Sequence, residues 1–220
     1  MPTPHPGRHL PFRLLALAGA ALAAVLAGFG GLAPADRLYS DLWHRLAGVR
    51  AEPRHAVIAS LDDATLDAYR DQPISFFGPV LAQGVARLRE LGAKAMGLDM
   101  LFAVSAESWL ERLGLAGPAG QGYDQRFREE LARGGVVLGA LASFKADGTA
   151  RTLLPVRDFY YALPRPREQY TGLTNLLADP DGAVRRFYPT LLGHGRLTLA
   201  TLLPARSQGL NPAAPVLALP

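Results

Sequence analysis

Residues Leu14 to Ala33 run for about twenty positions without a charge, and the nearby basic residues Arg8 and Arg13 stand only on the N-terminal side. A helix rises about 1.5 Å per residue, so about twenty residues cross a hydrocarbon core of about 30 Å. The sequence therefore predicts one transmembrane helix or signal anchor over residues 14–35, preceded by a cytoplasmic tail at 1–13. Asp36, Arg37 and Asp41 follow the run. Lys and Arg in excess mark the cytoplasmic side, so the N-terminus is expected inside the inner (cytoplasmic) membrane and the main domain in the periplasm or outside the cell. A cleaved secretory signal is the competing reading, because Ala33-Pro34-Ala35 has the small-x-small form that signal peptidase accepts. Both readings export everything from residue 36 onward.

The absence of cysteine fits a periplasmic location and leaves no disulfide framework or thiol chemistry. Residues 1–35 hold two basic residues and no acid, so the formal charge of +4 falls to +2 beyond them. The remaining Arg residues are scattered among Asp and Glu rather than gathered into a patch, so no nucleic-acid partner is expected. About 185 exported residues suffice for one domain with a buried core.

Periodicity divides that domain. Leu38, Leu42 and Leu46, with Tyr39 and Trp43 beside them, predict an amphipathic helix over 36–50, whose stripe suits internal packing, a membrane surface or a dimer contact. HAVIASLD at 55–62 reads as a buried strand, VLAQGVARLREL at 80–91 as a helix capped by Gly92, and AKAMGLDMLF at 93–102 as a second strand. A helix at 123–133 and a strand at 135–143 follow, with a loop at 105–122. That alternation is a parallel βαβ pattern. Asp147-Gly148 and Asp179-Pro180-Asp181-Gly182 then mark two antiparallel hairpins, the second between 171–177 and 183–192. The expected fold is thus α/β, a mixed sheet with a parallel βαβ core and C-terminal antiparallel hairpins, after one transmembrane helix. Residues 197–205 read as a helix ending at Pro204, and 204–220 as a linker or a truncated end.

Two aspartates are placed for chemistry. Asp62 and Asp99 each end a predicted parallel strand, where open α/β sheets bind ligands. They could hold a cation or divide acid and base roles, as in a periplasmic metal-dependent hydrolase, or they could cap helices. Arg185 and Arg186 follow the Asp-rich turn, where they could bind an anion or pair with Asp179 or Asp181. The five histidines form no metal-ligand spacing, and no phosphate loop, H-E-x-x-H or G-x-S-x-G motif occurs, so no catalytic residue, metal site or cofactor is assigned.

Taken together, the uncharged N-terminal run, DLWHRL at 41–46, SLDDATL at 60–66, LGAKAMGLDMLF at 91–102 and DPDGAVRRFYPTL at 179–191 resemble the type-two CHASE domain. The most specific element is GAKAMGLDMLF with DPDGAVRR about eighty residues later. The resemblance covers residues 36–203. It implies a non-enzymatic periplasmic sensory domain that relays an extracytoplasmic stimulus to an adenylate cyclase, histidine kinase or similar cytoplasmic output. Membrane lipid, a small ligand, an output domain in the same or a separate chain, and a second copy in a homodimer are the partners it implies. The chain departs from the family at PISFFGPV, where a Trp-Pro-Trp-Pro-like stretch is usual, and it lacks the strands that usually follow residue 203.

Overall fold

The computed structural model describes residues 10–28, 33–49, 52–115, 117, 120–191 and 195–210. The chain divides after Leu61 into two compact units.

The first unit holds α1 (Leu10–Gly28) and α2 (Ala33–Ala47). None of its described side chains is buried. Of the span expected over 14–35, residues 29–32 lie outside the described residues; α1 begins four residues earlier than expected, takes in Pro11 and Arg13, and is described as far as Gly28. Its uncharged part, Leu14 to Gly28, is about 22 Å long at 1.5 Å per residue, short of a core of about 30 Å. Among the described residues no helix is long and apolar enough to cross a membrane. The strand expected at 55–62 is also not formed. A strand exists only through hydrogen bonds to a neighbour, and this segment enters no pairing; Val57 and Ile58 are each 92% exposed.

The second unit is built on a mixed four-stranded sheet. Its centre is β2 (Val136–Phe144), in which Val136 to Ala140 are all buried. A nearly continuous apolar run suits a strand covered on both faces. β1 (Met96–Leu98) pairs with β2 in parallel, in the register Met96 to Val136. β3 (Ala150–Leu153) runs back antiparallel, Leu141 opposite Leu153. The tight connection is the expected one: Gly148 has φ +79°, and the Asp147 carboxylate accepts from Thr149 N at 2.8 Å.

β4 (Thr171–Leu173) corrects the second predicted hairpin. It pairs in parallel with β2, Leu138 opposite Thr171, rather than with residues 183–192. The turn itself does form, since Gly182 N donates to Asp179 O at 2.8 Å and Asp179 N to Ala183 O at 2.9 Å. A turn signal fixes where the chain reverses and not which strand its flanks join. Past β4, the Asn175 side chain continues the ladder: Ala142 N donates to its Oδ1 at 2.7 Å, and its Nδ2 donates to Ala142 O at 2.9 Å.

Among the described residues of this unit there are six α-helices, α3 (Asp63–Ala68), α4 (Gly78–Glu90), α5 (Ala106–Arg112), α6 (Gln125–Ala132), α7 (Arg157–Ala162) and α8 (Leu199–Ser207), of which α8 packs on β1, β2 and β4. α5 and α7 were not expected, each having fewer than two helical turns from which periodicity could be read, and α3 was foreseen only in that Asp62 could cap a helix. Alternation along β2 separates two cores. Val136 and Leu138 face a cluster with Ala82, Val85, Met96, Phe102, Phe127, Leu131, Phe159 and Leu163. At its heart Phe127 and Phe159 meet edge to face at 5.0 Å, and Phe102 lies 5.6 Å from each. Val137, on the opposite face, packs on Leu199 and Leu202 of α8. That contact needs Gly172, because a Cβ there would fall 2.5 Å from Leu199 Cα. α8 also runs through Pro204 to Ser207, beyond the predicted stop.

Candidate functional site

The four residues singled out by sequence fall on three segments: the start of α3, the end of β1 and the Asp-rich turn. Asp62 is the N-cap of α3; its Oδ1 accepts from Thr65 Oγ1 at 2.7 Å and Thr65 N at 2.9 Å, and these bonds hold its carboxyl below the ordinary carboxylate value. Asp99 is exposed just after β1. The two stand on different elements, and no described hydrogen bond joins them. Arg185 is bound within its own turn, with Nη1 2.9 Å from both Asp179 Oδ2 and Asp181 Oδ1 and Nη2 2.9 Å from Asp181 Oδ2. Its side chain is only 12% exposed, so its charge is spent on holding the Asp-rich turn. Arg186 is exposed beside it. Among the described residues no three metal-ligating side chains converge.

Polar groups do converge where the loop after β1 meets α5 and α6. Ser105 caps α5, its hydroxyl accepting from Ser108 N at 3.2 Å, and Ser105 N in return donates to the Ser108 hydroxyl at 3.2 Å. The Ser105 hydroxyl also donates to Asp158 Oδ2 at 2.7 Å, tying α5 to α7. Next to it Glu107 and Asp124 exchange bonds: Glu107 N donates to Asp124 Oδ2, and Asp124 N to Glu107 Oε1, both at 3.2 Å. Arg128, one turn into α6, binds both oxygens of Glu107. A bidentate guanidinium pair of this kind fixes geometry as well as charge.

Asp124 is the unusual member. It is wholly buried, and its Oδ1 has no hydrogen-bond partner. That oxygen lies against the first residue of α4; a Cβ on Gly78 would come within 2.1 Å of it. Burial pushes the Asp124 carboxyl above its ordinary pKa, and the Glu107 charge adds to the rise, while the Glu107 N–H and Arg128 oppose it. Burial and the Asp124 charge likewise raise Tyr123. A cavity of about 130 Å³ adjoins the cluster, lined by Glu107, Glu111, Gly120, Gln121 and Gly122. Sequence reasoning missed all of these, having read 105–122 as a plain loop. The Ser-Ala-Glu-Ser pattern at 105–108 was the available signal for a helix start.

A second cavity, of about 510 Å³, is lined by Arg165, Pro166, Arg167 and Glu168. The Arg167 guanidinium stands 4.8 Å from the Tyr161 ring centre, and Arg157 stands 5.8 Å from the same ring. Neither cavity brings a nucleophile, a base and its orienting partner into one chain of hydrogen bonds.

A mixed sheet covered on both faces, with paired carboxylates and arginines holding its loops, defines a small α/β domain. The chain matches the family model of the CHASE2 domain over residues 17–217 and belongs to that family, a family of extracellular sensory domains. No curated protein and no solved structure matches it.

Proposed function

We propose that the chain is the signal-input part of a receptor, anchored in the cytoplasmic membrane by its N-terminal segment, exposed outside the cytoplasm from residue 36 onward, and relaying its state to a cyclase or kinase output inside. The observation that carries this is the family match over residues 17–217. Support for the anchor comes from the uncharged run after Arg8 and Arg13 and from α1, whose Leu14, Leu15, Leu17, Leu22 and Val25 are 54–76% exposed. So much apolar surface in water is unfavourable at about 25 cal/mol per Å². The hydrolase reading gains nothing from the geometry, since Asp62 is committed to its cap and Asp99 lies on another element.

Fusing alkaline phosphatase and, separately, a cytoplasm-dependent fluorescent protein after residue 210 tests the reading. Active phosphatase with a dark fluorescent fusion is the expected result. Fluorescence with inactive phosphatase places the domain inside and overturns it.

A further inference from the structure

The face of α2 is a surface that the sensory reading leaves unexplained. Leu38, Tyr39, Leu42, Trp43 and Leu46 are 71%, 67%, 53%, 50% and 75% exposed, although all lie on one side of the helix. At 3.6 residues per turn they cover an arc of about 140°. Arg37, Ser40, Asp41 and His44 occupy the other side, and Arg45 borders Leu38.

We propose that α2 lies flat in a phospholipid membrane surface, with this arc sunk among the head groups and upper acyl chains. Four observations select lipid over a second copy of the chain. An arc of about 140° is wider than the narrow seam of a two-helix coiled coil. If Tyr39, Leu42 and Leu46 formed such a seam, its flanking positions would be Leu38 and Trp43 rather than opposite charges. A flat lipid surface covers the whole arc, and an aromatic ring such as Trp43 at the border of an apolar face, with Tyr39 next to it, favours the head-group level, where the ring is buried and its polar edge stays wet. Finally, α2 is separated from α1, itself apolar and exposed, by only residues 29–32.

This inference rests on the anchoring reading, and one experiment separates their failures. Trp43 and Trp109 are the two tryptophans, so the full chain carrying Trp109→Phe reports on α2 alone. Mixed with phosphatidylcholine vesicles, it is expected to sediment with them, to shift its Trp43 emission to the blue, and to lose most of that emission when the acyl chains are brominated. Leu42→Asp, which places a charge in the arc, should abolish the shift and the quenching while the chain still sediments. Sedimentation with Trp43 as open to aqueous acrylamide as in lipid-free protein overturns the placement of α2 and leaves the anchor standing. Absence of sedimentation overturns both. A blue shift without lipid that tracks dimer formation overturns the inference in favour of a second copy.

Discussion

Residues 55–62 and 135–143 are two short apolar runs that the sequence presents in nearly the same way, yet one lies in water and the other at the centre of the core. Val57 and Ile58 are 92% exposed, while Val136, Val137 and Leu138 are fully buried. The difference lies in neighbours and not in composition. Val136 to Leu138 have β1 along one stretch, β4 along the next, an aromatic cluster on one face and α8 on the other. The contrast extends to the two units, since the first buries no described side chain and the second buries eighteen apolar ones. Apolar character thus states a need for burial, and tertiary neighbours decide whether it is met within the chain.

The largest effect that would sharpen this contrast is expected at Phe127, fully buried between Phe102 and Phe159. Phe127→Ala should lower stability by about 3–5 kcal/mol, read as a fall in the urea midpoint at constant slope. A change near zero would mean that the core of the second unit does not carry its stability. Gly172→Ala is expected to follow, at about 1–3 kcal/mol, because its Cβ would strike the α8 backbone at Leu199. Loss of amide protection confined to α8 and β4 in hydrogen exchange is the expected pattern.

Asp124→Asn should act in the opposite direction at neutral pH. The folded-state pKa of Asp124 is raised, so the folded protein binds this proton more tightly than the unfolded chain, whose value is about 3.9. Stability from this group is therefore greatest below the unfolded value, falls as pH rises toward the folded value, and stays low above it. The Asn variant should be more stable at pH 7, read as a higher urea midpoint, and its stability should lose that part of its pH dependence. An unchanged urea midpoint across pH 3–8 would show that Asp124 does not titrate in a buried site. The smallest effect belongs to the first unit: Ile58→Ala should move stability by less than about 0.5 kcal/mol, and a larger loss would show that residues 55–61 are packed in solution.

Much of the second unit was legible in the sequence. The helices at α4 and α6, the strand β2 and the Asp147-Gly148 hairpin all follow from local periodicity or turn chemistry. Gly92, with φ +91°, ends α4 region as its sequence suggested. α5 was hidden because its signal was a pair of serines without an apolar stripe. The fate of β4 was hidden because strand pairing is a choice among distant partners. The polar cluster was the least legible feature: Ser105, Glu107, Asp124, Arg128 and Asp158 come from three helices and meet only when α5, α6 and α7 dock. Asp62 shows the reverse case: of the two roles the sequence allowed it, site or helix cap, the local one is formed.

What the sequence determined by itself was local: the helices that carry an apolar stripe, where the chain turns, and which side chains need cover, because these depend on dihedral preferences and on spacings of three or four residues. It also carried the family through motifs set about eighty residues apart. Only the tertiary structure decided that β4 runs parallel beside β2, that Arg185 closes a turn, and that a carboxylate is buried without a partner at Asp124. Those outcomes depend on which distant surfaces meet, and water is excluded only after they have met.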